Sequence, residues 1–268
     1  SKAMTAQTYN RWTAGMATAV FILIAGLMAG LSTQPSADSV RRRPSTFFTD
    51  PSGARALFLI AKQFVPASEQ WRRPINFLSL PESPDAASTL IAAAPARPLS
   101  RAEAKHLESW LSAGGQLILL TANGWPMRQR AVSNEHSDEA SGSEPTSDKT
   151  VLSQYVASLR WTEAREFNTG RAAGSSIPQG EIMLGWRRSF LNPGGAKVLA
   201  TVNNAAVAVE IPVGLGRIVA IADPAMASNS ALRRSDNAVW LVSLAAGWGG
   251  GRVLFDEYHH GFGQKRGA

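Results

Sequence analysis

Cysteine is absent from the whole 268-residue chain. Its absence excludes disulfides, thiolate nucleophiles and cysteine-ligated metal sites. It leaves the compartment open, because an oxidising space permits such a chain without requiring it. Familiar catalytic patterns are missing too: there is no G-x-S-x-G elbow, no P-loop and no H-E-x-x-H. Zinc spacings and the aromatic-basic motif of RNA-recognition modules are likewise missing, so nucleic acid is not an expected partner.

What remains is an ordinary globular composition with a basic balance. Apolar residues make up 44%, enough for a real core, and the formal net charge is +7. That charge suits anionic partners such as lipid headgroups, or it is simply a solvated basic surface.

Trp12 to Leu31 (WTAGMATAVFILIAGLMAGL) contains no charge. Its length matches the roughly 20 apolar residues that cross a bilayer as a helix. It is longer than the apolar core of a cleaved signal peptide, and it has none of the polar face a soluble surface helix would show. The reading is a retained transmembrane helix. Lys2 and Arg11 precede it and Arg41 to Arg43 follow it, so the positive charges leave its orientation open. Gly26 and Gly30 form one G-x-x-x-G, a spacing that lets helices approach closely but also arises easily by chance.

The sequence predicts an α/β domain with a mainly parallel sheet flanked by helices and one antiparallel hairpin added. Pro51 to Phe64 reads as a helix with Asp50 as N-cap and Pro51 at the first position. Pro74 to Leu80 reads as a short strand, and Thr89 to Ala94 as a strand buried on both faces. Ser100 and Glu103 form a capping box, followed by Ala104, Leu107, Trp110 and Leu111 at helical spacing. Gly114 and Gly115 end that helix, and Gln116 to Ala122 is another buried strand. This order makes a βαβ unit. Ser133 to Lys149 carries five acids against one lysine and no apolar period, and reads as a disordered insertion. Val151 to Leu159 reads as a helix. Lys197–Asn203, Ala205–Pro212 and Arg217–Ala222 are strand-like, Asp236 to Ala246 is helical, and Arg252 to Phe255 closes the sheet. The expected organisation is a tail over 1–11, the transmembrane helix over 12–31, a linker over 32–46, the α/β domain over 47–261 and a tail over 262–268.

Polar residues gather after two of the apolar runs. One group is Asp223, Asn229, Asp236 and Asn237; the other is Asp256, Glu257, His259 and His260. Open α/β sheets bind ligands outside the carboxyl ends of their strands, so the two groups are candidates for one binding pocket, with Asp223 and Asp256 as its acids. Along extended chain Asp256 and His260 share one face while Glu257 and His259 share the other, so a metal would require the chain to turn. The spacing matches no standard zinc pattern. Whether a metal binds stays open, and no cofactor is expected. In the structural alternative, Asp256 caps a neighbouring helix and the histidines pack. Asp236 is equally a plain N-cap, and Trp110, Trp240 and Trp248 read as core.

The strings FDEYHHG at 255–261, ADPAMASN at 222–229 with DNA at 236–238, and GGQLIL at 114–119 resemble the bacterial domain of unknown function 4350, over roughly Phe47 to Gly261. The resemblance implies a glutamine-amidotransferase-like, flavodoxin-like fold in a membrane-anchored protein. It also implies an assembly role, because family genes commonly sit beside a MoxR-type AAA ATPase and other membrane proteins. Amidotransferases of this fold use a cysteine nucleophile, and this chain has none, so glutaminase chemistry is excluded. Family members often carry a second apolar helix soon after the HHG, which this chain either lacks or has lost.

The expected function is a non-catalytic binding or scaffold domain at the cell membrane, with the lipid bilayer and proteins of a membrane complex as partners. The alternative is a metal-dependent or acid/base hydrolase using the strand-end Asp, Glu and His residues. A third reading makes the arginines a binder of nucleic acid or of anionic surfaces.

Overall fold

The structure is a computed structural model that describes residues 43–121, 125, 156, 159–176 and 182–263. The chain divides into a unit over Ser1–Arg41 and one over Arg42–Ala268, and every described residue belongs to the second. The run Trp12–Leu31, the insertion 133–149 and nearly all of Val151–Leu159 therefore lie outside the described residues. Among the described residues no helix is long and apolar enough to cross a membrane.

The chain forms α1 (Arg55–Phe64), β1 (Glu69–Trp71), β2 (Ser88–Ala93), α2 (Arg101–Ser112), β3 (Gln116–Leu120), β4 (Arg160–Ala173), β5 (Met183–Asn192), β6 (Lys197–Val202), β7 (Ala205–Val213), β8 (Gly216–Ile221), α3 (Asn229–Leu232), α4 (Asn237–Ala246) and β9 (Arg252–Asp256). All nine strands join one sheet in the order β1-β9-β2-β3-β8-β7-β5-β4-β6, and β6 also pairs with β7.

The expectation of a mainly parallel, amidotransferase-like sheet with one hairpin is overturned. Four pairings are parallel and five are antiparallel. Strands β4, β5, β7 and β6 pair in a ring and close a four-stranded antiparallel barrel. The barrel holds the longest strands, with 14 residues in β4 and 10 in β5, whereas the parallel strands have three to six. Sequence patterning misses β4 and β5 for a physical reason. β4 is exposed at eight of its 14 positions, β5 mixes buried and exposed ones without alternation, and the pairing slips between Glu163 and Asn168, so the period-2 signal is lost. Hairpins β6–β7 and β7–β8 turn through Asn203-Asn204, both at positive φ, and Gly214-Leu215.

The parallel part is built as its residues dictate. β2 and β3 are buried at every position, which is why they read as unbroken apolar runs. α2 starts at a complete capping box: Ser100 Oγ accepts from the Glu103 N–H while Glu103 accepts from the Ser100 N–H. Its apolar stripe, with Leu107, Trp110 and Leu111, covers one face of the sheet with Leu90, Leu117 and Leu119. α1 and α4 lie beside each other on the other face, over Ile91, Ile118, Val219 and Phe255. Two further expectations are corrected. Helix α1 begins at Arg55 rather than Pro51, because Asp50 caps a tight turn through the N–H groups of Ser52 and Gly53. The strand expected over Pro74–Leu80 is a 3-10 turn, Ile75–Phe77, drawn in by an Ile75 N–H bond to Glu103.

Trp110 lies flat over Gly115, where an added methyl carbon would sit 2.5 Å from the indole. Gly115→Ala is expected to lower unfolding free energy by about 1–3 kcal/mol, the usual overpacking cost. Equilibrium denaturation checks it.

Candidate functional site

β9 runs between β1 and β2, and its carboxyl end delivers the DEYHH segment into a turn held on every side. The N–H groups of Glu257 and Tyr258 both donate to Trp71 O at the end of β1. Those of Ala96 and Arg97, beyond β2, both donate to His259 O. Gly261 closes the turn at φ +103, and the Phe262 ring packs on Phe47 and Phe48.

Within that frame the charged side chains split to the two faces of the sheet. On the α2 side, His259 Nδ1 lies 3.0 Å from both Asp256 oxygens. The His259 N–H donates to Asp256 as well. The opposite ring nitrogen, Nε2, reaches Glu103 Oε1 only at 3.4 Å and has no hydrogen-bond partner, so that contact is an ion pair. The imidazole is 0% exposed. Burial alone would lower its pKa, but the hydrogen bond to Asp256 and the charges of Asp256 and Glu103 push it up to about 9. Burial would raise Glu103; His259 and the Ser100 cap outweigh that and hold it down at about 2. On the α1 side, Glu257 Oε1 accepts from the Thr46 N–H and hydroxyl, and Oε2 from the Ser45 hydroxyl, all at 2.6 Å. Burial still raises the Glu257 pKa, against the pull of these donors and with help from the Asp256 charge. His260 is pulled down to about 4 by burial, which the Asp256 charge opposes and the Arg43 charge reinforces. Beside it is a cavity of about 10 Å³, lined by Thr46, Asp256, Glu257 and His260 with apolar neighbours. It has room for one water at most.

Asp223 lies elsewhere. It sits on the same sheet edge as Asp256, but β2 and β3 stand between their strands, which separates them by about three strand spacings or roughly 14 Å. The two aspartates therefore do not form one pocket. Asp223 accepts from the N–H groups of Arg187 and Ala225, joining β5 to the turn after β8. Asn229 bonds Phe48 O, Asp50 O and the Ala56 N–H. Asp236 accepts from the Met183 N–H, and Asn237 bonds Gly185 on both sides and Met226 O. These four hold loops and barrel together. Only Asp256, Glu257, His259 and His260 share a locality. Ser45, Thr46 and Glu103 belong to it as well and were not predicted to. Glu103 was legible as a cap, but its second role needs β9 beside α2. Among the described residues no three Asp, Glu or His side chains converge as a metal site would require.

The family model described as "Domain of unknown function (DUF4350)" matches residues 46–245. The chain belongs to this family. The DUF4350 match takes in Thr46, Glu103 and the barrel and ends before the FDEYHHG string. No curated protein matches. Among solved structures, the chain aligns with an exo-β-1,4-mannosidase, Op5Man5, from Opitutaceae bacterium strain TAV5 at 18% identity and TM-score 0.38, covering 72% of this chain and 31% of that one. It also aligns with a β-galactosidase from Bacillus circulans sp. alkalophilus at 12% identity and TM-score 0.30, covering 55% and 22% respectively. Scores this low transfer neither the fold nor the activity of those enzymes.

The titrating groups imply a stability maximum near pH 6.5. His259 holds its proton more tightly when folded, so its contribution is complete below pH 6.5 and is lost as pH rises towards about 9. His260 resists protonation when folded, so stability falls as pH drops from 6.5 towards about 4, and Glu103 extends that loss from 4.5 towards about 2. Glu257, with its raised pKa, acts in the opposite sense above pH 4.5 and softens the acid limb. Melting temperature measured across this range is expected to peak near neutrality, and His259→Gln to flatten the alkaline limb and, by releasing Glu103, to shrink the loss below pH 4.5.

Proposed function

We propose that this DUF4350 chain is a non-catalytic, membrane-anchored binding or scaffold domain of a bacterial membrane-associated complex. The observation that supports this reading is that the strand-end acids are buried and bonded within the protein. Both Glu257 oxygens are taken by Ser45 and Thr46, and both Asp256 oxygens by His259. A general base or nucleophile needs a lone pair within reach of substrate; both acids are buried, and the cavity they line has room for one water at most. The hydrolase alternative would draw on His259 Nε2, which lacks a hydrogen-bond partner, but that ring is fully enclosed. The membrane setting is supported by the uncharged run Trp12–Leu31. Partnership with a MoxR-type AAA ATPase system follows from the family resemblance alone.

The two readings differ in what Glu257→Gln and Asp256→Asn do. On the scaffold reading Glu257→Gln lowers stability by about 1–3 kcal/mol, the cost of leaving buried donors without a full acceptor, and Asp256→Asn by about 3–5 kcal/mol, because it removes the counter-charge of buried His259. Neither changes metal content, and each leaves recovery of cross-linked membrane partners in proportion to the folded fraction. Metal held stoichiometrically by the native chain and lost in Asp256→Asn at unchanged stability would overturn it. The anchored protein is also expected to stay with membranes through a high-salt wash, since salt screens charge without weakening apolar insertion; release by salt would remove the membrane part of the proposal.

A further inference from the structure

We propose that the outer face of the α1–α4 helix pair seats on a bilayer surface rich in anionic lipid headgroups. The inference deepens the membrane reading above and rests on it.

Helix α4 reads NAVWLVSLAA and contains no charged residue. Its outward positions, Val239, Ser243 and Ala246, recur at i, i+4 and i+7 and so form one uncharged stripe facing away from the core. A helix on the surface of a soluble domain ordinarily carries charge there. Beside it, α1 turns Leu59 outward and ends in Phe64; Val239, Leu59 and Phe64 are 54%, 52% and 72% exposed. Cations border this apolar strip. Arg55 and Lys62 flank the Phe58 ring on α1, at 5.5 and 6.0 Å from its centre, and Arg233 and Arg234 stand exposed in the turn that leads to α4. Two acids of this layer, Asp50 and Asp236, stand against these four cations. Asp50 is turned onto the Ser52 and Gly53 N–H groups, and Asp236 onto that of Met183.

The opposite face of the sheet is different. On the α2 side, Arg73, Arg101 and Lys105 are matched by Glu82, Asp85 and Glu108, Glu103 being buried against His259, and Phe77 and Leu80 are exposed. Of the two described helical layers, it is the α1–α4 layer that combines exposed apolar side chains with excess cations, the combination that binds the interface of an anionic membrane. The first described residues of the domain lie beside this layer, since Ser45 O and Phe48 O accept from the N–H groups of Ala54 and Arg55 at the start of α1.

The absence of cysteine makes the test direct. Val239→Cys and Leu80→Cys each introduce one position for a polarity-sensitive fluorophore in the full chain. The chain is bound to vesicles of phosphatidylcholine alone or of phosphatidylcholine with phosphatidylglycerol. At position 239 the emission is expected to shift to the blue, and quenching by neutral acrylamide to fall severalfold, in the anionic vesicles only. Position 80 is expected to stay unchanged in both. Adding Lys62→Glu and Arg233→Glu to the labelled Val239→Cys chain should abolish the shielding. A chain that floats with the vesicles while position 239 remains as quenchable as position 80 overturns the docking face and leaves the membrane reading standing. A chain that does not float overturns both. Shielding that persists in phosphatidylcholine and grows with protein concentration identifies a second copy as the occupant and overturns the lipid assignment.

Discussion

A charged imidazole sealed from water would cost several kcal/mol if left alone. His259 is tolerated because Asp256 and Glu103 flank it, one from the end of β9 and one from the first turn of α2. The same Glu103 completes the capping box and receives the Ile75 N–H, so one carboxylate joins a helix start, a 3-10 turn and the last strand. Removing any member leaves an uncompensated charge in the interior, and that asymmetry makes buried ion clusters effective at specifying one arrangement even where they add little net stability. Glu257 does the matching work on the opposite face, tying Ser45 and Thr46 at the beginning of the domain to its final turn.

These two networks explain why so many ionisable groups crowd one strand end without forming an open site. Parallel strands bring their carboxyl ends to one edge, where a cleft would ordinarily form. Here the edge above β9 is filled by the turn at 257–261 and by the segment entering at Ser45 and Thr46. The remaining space takes a single water. The barrel, for its part, is joined to the parallel strands through β7 and β8 and stitched down by Asp223, Asp236 and Asn237. Each of those side chains satisfies backbone groups that the irregular edges of β5 leave without a strand partner.

Much of this was legible where local physics is strong. The capping box at Ser100 and Glu103, the apolar runs of β2 and β3, the turn at Gly214 and the uncharged α4 each declare themselves within a dozen residues, because capping, burial on both faces and turn geometry act locally. The barrel did not declare itself. β4 is mostly exposed and pairs with β5 across a bulge, so neither alternation nor a continuous apolar run marks them. The helix start at Arg55 was misplaced because Asp50 and Pro51 serve equally well as a helix cap and as the tight turn they form.

The amino-acid sequence by itself determined the chemistry available to this protein: no thiol, no recognised catalytic motif, a basic surface, and a cluster of Asp, Glu and His after the last apolar run. It also determined the βαβ segment, since that segment is written in adjacent residues. Only the tertiary structure decided how those groups are used. Strand order, set by long-range pairing, placed β2 and β3 between Asp223 and Asp256 and so separated two acids that end similar runs. Packing of α2 against β9 brought Glu103 to His259, 156 residues away along the chain. Closure of β4–β7 into a barrel turned an expected α/β sheet into one with more antiparallel than parallel pairings. Pairing partners far apart in sequence are chosen by the summed fit of many side chains, and no local pattern carries that sum.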